Sequence, residues 1–132
     1  PELIIPYRDY SLGMKIAARH CKMLAKRLLN LDIVFEIADW PKPCQFMAAY
    51  GNGRLVFNLS CFDFDGLAVV DSKAIDDLHE TWLHEFAHEF EADHLSYNFQ
   101  EACIKLGSKL VRLALTEPAI FSAPLFNDPN GL

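Results

Sequence analysis

Residues 84–94 read His-Glu-Phe-Ala-His-Glu-Phe-Glu-Ala-Asp-His. They lie at the C-terminal end of a region whose apolar residues recur at helical spacing. Two His four positions apart on a helix lie on one face, close enough to bind one metal ion, and the adjacent Glu can reach a water on that metal. His84 and His88 therefore predict a zinc site with Glu85 as its general base. His94 as third ligand would leave a fourth position open, which is typical of catalytic zinc rather than structural zinc.

Other carboxylates compete with His94 for the third position. Glu101 lies on the next predicted helix, which can fold across the metal, and it is the first alternative. Glu91 and Asp93 are the others. On an uninterrupted helix Glu91 lies nearly in line with the two His, so these three side chains could not surround an ion from three directions.

The alternative to a metal site is a charged amphipathic helix whose His side chains are either exposed to water or hydrogen-bonded within the core. Four of the five His fall within sixteen residues: His79, His84, His88 and His94. The H-E-x-x-H pair lies inside an otherwise apolar helix, where an unpaired imidazole or carboxylate is costly to bury. A bound metal removes that cost, so the pattern favours a metal site.

Length and composition indicate one domain. A chain of 132 residues with 52% hydrophobic side chains can bury one core. We expect a single domain over residues 1–117 and a Pro-rich C-terminal tail over 118–132. The net charge of −6 argues against a nucleic-acid partner, and no apolar run approaches the length that spans a bilayer.

Cysteine usage and the N-terminus favour a cytoplasmic protein. The four Cys include no C-x-x-C pair, and no basic region precedes an apolar one as in a signal peptide. We therefore expect reduced, structural thiols. The chain does not begin with Met, so we expect it to be part of a longer protein or a trimmed version of one.

Hydrophobic spacing and turn residues predict an α+β fold. Its expected parts are an N-terminal helix, a small three-stranded sheet with a hairpin, a metal-binding helix and a backing helix. The helices are predicted at about Ser11–Asn30, Lys73–Ala92 with Ser72 as cap, and Asn98–Leu115 with Asn98 and Glu101 at capping-box spacing. The strands are predicted at 33–37, 45–50 and 54–60, with Gly51-Asn52-Gly53 as the hairpin turn.

This order of elements and the H-E-x-x-H motif resemble the minimal zincin core. The spacing of His84, His88 and His94 is similar to the metzincin pattern H-E-x-x-H-x-x-G-x-x-H. Two features depart from it: Glu91 stands where metzincins have Gly, and all three Met precede the helix, so no Met-turn can follow. The turn can still form, because Asp93 and His94 enter the left-handed region at tolerable cost.

Two further resemblances bear on function. Asp93-His94 after the paired His resembles the end of the rRNA-maturation nuclease motif H-G-x-x-H-x-x-G-x-D-H, although that family has Gly in place of Glu85. From about Tyr50 to Phe121 the chain resembles the C-terminal part of phage and bacterial proteins whose N-terminal part is similar to a histidine-kinase, gyrase and chaperone-type ATPase. The segments that carry this likeness are 53–59, 84–89, 93–96 and 106–110. The resemblance implies an ATPase domain in the same protein.

The expected function is a zinc-dependent hydrolase, most simply a metallopeptidase acting on a peptide or protein. An extended substrate could pair with a strand edge, at residues 45–50 or 54–60. Tyr97 or His79 could stabilise the oxyanion, although ordinary packing or surface exposure explains them more simply. The alternatives are a metal-dependent endoribonuclease, which the acidic residues beside the motif disfavour, and a non-catalytic, zinc-stabilised interaction module attached to an ATPase.

Overall fold

The computed structural model describes residues 3–42, 46–90 and 96–122. Within them the chain forms an α+β fold, as the sequence predicts. The elements, in chain order, are β1 (Leu3–Ile4), α1 (Leu12–Leu29), β2 (Val34–Asp39), β3 (Ala48–Gly51), β4 (Arg54–Asn58), α2 (Phe64–Ala68), α3 (Ser72–Ala87) and α4 (Tyr97–Thr116).

Within the described residues the sheet has four strands in the order β1-β2-β4-β3, where three were predicted. The additional strand is β1, which pairs antiparallel with β2. It was missed because two residues are too few to show an alternating pattern. β2 and β4 are parallel, and β3 is antiparallel to β4 at the edge of the sheet.

The hairpin between β3 and β4 forms at the predicted turn. Asn52 and Gly53 both have positive φ, at 53° and 73°, as a two-residue turn of the I′ type requires. The Asn58 backbone N–H donates to the Met47 carbonyl at 2.8 Å, which sets the register. Because hydrogen-bonded and non-hydrogen-bonded pairs alternate, the backbone polar groups of residues 48 and 50 point away from β4, toward the open edge.

The N-termini of α3 and α4 differ from the predicted ones by one or two residues. Asp71, not Ser72, caps α3 through its side chain, and Ser96, not Asn98, caps α4. Asp, Ser and Asn are all favourable capping residues, so residue type alone could not show which of two nearby positions caps each helix. α3 ends at Ala87, earlier than the predicted Ala92; residues 88–90 form a turn, and residues 91–95 lie outside the described part.

One hydrophobic core holds the helices against the sheet. α1 packs against β2, α3 against β3, and α4 against α3. Trp82 of α3 is fully buried, and its indole N–H donates to the Cys21 carbonyl of α1 at 3.2 Å. α3 thus packs between α1 and the sheet. This packing fixes the orientation of the residues on the face of α3 that contacts neither of them.

The start of the predicted tail is helical and packed. Residues Pro118–Phe121 form one 3-10 turn, in which Ile120 is buried. Residues 123–132 lie outside the described part of the chain. No helix in the described ranges has the length and apolar character needed to cross a membrane.

Candidate metal centre

The last turns of α3 bring three potential ligands together. Ligand atoms of His84, Glu85 and His88 all lie within 4.8 Å of one another. The two imidazoles meet edge to face, with ring centroids 5.5 Å apart, and His84 Nε2 lies 3.7 Å from a carboxylate oxygen of Glu85. Two imidazoles on one helix face fit Zn²⁺, and a carboxylate beside them can act on a metal-bound water without itself binding the ion.

Phe99 of α4 packs against the imidazoles of both His84 and His88. Its ring centroid is 5.3 Å from that of His84 and 4.9 Å from that of His88, and only 6% of Phe99 is exposed. A buried ring in contact with both His limits the rotamers that they can adopt. α4 therefore packs against the His pair and restricts the orientation of both rings.

The Glu85 carboxylate is buried and held by the edge strand. Burial raises its pKa to about 7, while a hydrogen bond from the backbone N–H of Tyr50 opposes that shift by stabilising the charged form. The N–H of Tyr50 is one of the backbone groups that point away from β4. The Tyr50 N–H, on the side of β3 that does not pair with β4, thus positions the Glu85 carboxylate of α3.

The side chain of Tyr50 fixes the contact between β3 and α3. Its ring lies 4.6 Å from the ring of Phe86, centroid to centroid. Burial, followed by the negative charge of Glu89, raises the pKa of the Tyr50 phenol to about 12. Glu89 acts through its charge rather than through a well-formed hydrogen bond, because the buried hydroxyl has no partner in hydrogen-bonding geometry among the described residues. The phenol is therefore neutral throughout the ordinary pH range.

A cleft of about 750 Å³ opens above the candidate ligands. One wall is β3 with the two residues before it, and the other is one face of α3. Its lining residues are Phe46, Met47, Ala48, Ala49, Tyr50, Glu80, Thr81, His84, Glu85 and His88. The cleft is bounded by an edge strand, an arrangement that suits an extended chain.

The predicted third ligands are not all within the described residues. His94, Glu91 and Asp93 fall in 91–95, outside the described part. Glu101 is described, but it lines a separate cavity with Phe90 and Lys105 and does not belong to the group of described ligands around the His pair. The structure thus brings together His84, Glu85 and His88 and leaves Glu101 apart from them.

The two residues considered for oxyanion stabilisation lie elsewhere. The ring of His79 packs against His20 and Phe121 on the side of α3 that faces α1. Tyr97 is 72% exposed, and its hydroxyl interacts with Glu101. Neither residue lines the cleft, so ordinary packing and exposure describe them.

Sequence reasoning did not identify Phe99, the Tyr50 backbone or Glu80 as parts of the site. Glu80 could have been found, because it precedes His84 by four residues and so shares its helix face. The other two had no local signal. Their roles depend on contacts between elements that are distant in the chain.

No protein-family model matches the chain, and no curated protein or solved structure is significantly similar to it. The candidate centre is therefore interpreted from its own donor set and surroundings.

Proposed function

We propose that the domain is a zinc-dependent hydrolase, specifically a metallopeptidase of the zincin type. One observation carries the proposal: two imidazoles and a buried carboxylate share one face of α3 at an open cleft beside an edge strand. This combination provides metal ligands, a base and a place for an extended substrate.

The proposed metal ligands are His84, His88 and His94. The first two are preorganised by Phe99. Zn²⁺ bound there would lower the pKa of a water molecule toward neutrality and polarise the carbonyl of the scissile bond.

Glu85 is the proposed general base. Its carboxylate would accept a proton from the attacking water and later pass that proton to the leaving amine. The hydrogen bond from the Tyr50 N–H anchors the carboxylate on the side of α3 that faces the cleft. A base held in this way needs no rearrangement before it acts.

β3 is the proposed docking strand for the substrate. The N–H and C=O of Ala48 point away from β4, so they are oriented to pair with an extended chain in the cleft. Of the two strands considered from the sequence, β4 is paired on both sides, with β2 and β3, and has no open edge. Of these two strands, β3 is therefore the one with an open edge among the described residues.

The test compares Glu85→Gln with Glu89→Gln. Both changes convert a carboxylate to an amide near the end of the same helix, but only Glu85 is buried at the His pair. In an unbiased peptide-library digest, Glu85→Gln should lower the cleavage rate by about 10² to 10⁴ and retain zinc, while Glu89→Gln should cleave like the unmodified protein.

Two outcomes would contradict the proposal. Equal cleavage by Glu85→Gln and the unmodified protein would remove Glu85 from the reaction. Absence of cleavage by the zinc-loaded protein over the whole library would favour the non-catalytic module instead, in which the zinc contributes folding energy rather than chemistry.

A further inference from the structure

Glu80 is an acidic side chain in the cleft that the proposed reaction does not use. It lies on α3 one turn before His84, is exposed, and lines the cleft beside Thr81. It forms no salt bridge with any described residue: Lys73, two turns earlier, interacts with it only through longer-range charge and is paired with Asp77 at 2.6 Å. Its carboxylate is thus available to a bound ligand.

Among the described residues that line the cleft, none is a Lys or Arg that could pair with this carboxylate. The wall formed by residues 46–50 carries no charged side chain, and the α3 wall carries no Lys or Arg. Phe46, which is 47% exposed, and Met47 offer apolar surface within the same cleft. A carboxylate next to apolar surface suits a long basic side chain, whose aliphatic stem packs while its charged end reaches the acid.

The spacing along α3 places Glu80 at a definite distance from the candidate centre. Four helical residues rise about 6 Å. An extended peptide advances about 3.3 Å per residue, so side chains on one of its faces repeat after about 7 Å. A peptide that lies parallel to α3 with its scissile carbonyl at His84 therefore brings the side chain two positions from the residue that carries this carbonyl to the level of Glu80.

We infer that the cleft prefers peptides with Lys or Arg two positions from the residue that carries the scissile carbonyl, on the side toward the N-terminus of α3, and that Glu80 is the residue that determines this preference. The inference rests on the proposed function, because it takes the scissile bond to lie at the His84–Glu85–His88 group.

The first measurement is cleavage of a positional-scanning decapeptide library by the zinc-loaded protein. Peptides with Lys or Arg at that position should be cleaved about fivefold faster than those with Gln or Glu, the size expected of one solvent-accessible ion pair. Glu80→Gln should remove the preference, and Glu80→Lys should reverse it toward acidic side chains. Asp76→Asn is the matched control, because Asp76 is exposed on the same helix but lies outside the cleft.

The second measurement is binding without turnover. The best-cleaved peptide and its Lys-to-Gln counterpart are titrated against Glu85→Gln and against the Glu80→Gln, Glu85→Gln double variant. The Lys peptide should bind Glu85→Gln about fivefold more tightly than its counterpart, should lose that advantage as salt is added, and should show none with the double variant.

The outcomes distinguish the Glu80-dependent preference from the proposed hydrolase activity on which it rests. If cleavage depends on Glu85 but shows no preference for Lys or Arg, the inference is wrong and the proposed hydrolase activity is unaffected. The same holds if Glu80→Gln keeps that preference. A library in which no peptide is cleaved overturns both.

Discussion

His20 of α1 and His79 of α3 place their Nε2 atoms 2.9 Å apart inside the helix packing. His20 is almost fully buried, and Phe121 packs against both rings. At this separation the N–H of one Nε2 donates a hydrogen bond to the other Nε2, so the pair requires at least one neutral imidazole. The contact links the N-terminal helix to the helix that carries the candidate metal ligands.

This pair predicts that stability falls in mild acid. Burial lowers the pKa of His20 to about 3, and the charges of His79 and Arg19 act in the same direction. Burial also lowers the pKa of His79, against the opposing effects of Ile75 and Asp76. The unfolded chain, with a His pKa near 6.5, binds more protons than the folded chain between about pH 6.5 and pH 3. The free energy of unfolding therefore decreases as the pH falls through this window, by about 2 kcal/mol for His20 between pH 7 and pH 5.

The measurement is urea unfolding at pH 7 and pH 5, with a chelator present so that loss of metal does not contribute. His20→Gln lacks the His20 imidazole, so its loss between the two pH values should be smaller by about 2 kcal/mol. Comparing each protein with itself at two pH values cancels any destabilisation that the substitution causes. Equal losses in both proteins would show that His20 titrates normally.

Zinc content provides a direct check of the donor set. The purified protein should bind about one equivalent of zinc, and His84→Ala or His88→Ala should abolish this, because each supplies a ligand from the same helix face. His79→Gln is the matched control, since His79 lies on α3 but faces α1, and it should retain the metal. Elemental analysis of the four proteins tests the prediction, and full retention of zinc by both Ala variants would end the zincin proposal.

His94 remains the predicted third ligand. His94→Ala should weaken zinc binding by more than about 100-fold, the upper range for losing a group that only orients a ligand. Glu101→Gln should leave the affinity unchanged, because Glu101 lines a different cavity. Competition with a chromophoric chelator measures both affinities, and the opposite ranking of the two variants would move the third position to α4.

Gly13 and Gly107 form a contrasting pair for stability. A Cβ at Gly13 would overlap the backbone carbonyl of Phe64, where α1 crosses α2, whereas a Cβ at Gly107 meets nothing within 4 Å. Gly13→Ala should therefore cost about 3 kcal/mol of unfolding free energy. Gly107→Ala lies within α4 and should increase that free energy by up to about 1 kcal/mol. Denaturant titration of both variants tests the helix crossing, and near-native stability of Gly13→Ala would contradict it.

The helices and the hairpin were predictable because their signals are local. Apolar residues at helical spacing marked α1, α3 and α4, and the Gly51-Asn52-Gly53 turn marked the β3–β4 hairpin. Short elements without a period, β1 and α2, gave no such signal and were missed. Helix starts were misplaced where two capping residues are close together, as at Asp71 and Ser72.

The sequence by itself determined the candidate donor pair, because a helical repeat of 3.6 residues places His84 and His88 on one face wherever the helix packs. Tertiary structure decided what surrounds that pair. The edge position of β3 brings the Tyr50 N–H to Glu85, and the packing of α4 brings Phe99 against both imidazoles. Burial of the apolar faces of α1, α3 and α4 selects those arrangements, and it acts between residues far apart in the chain, where no local pattern records it.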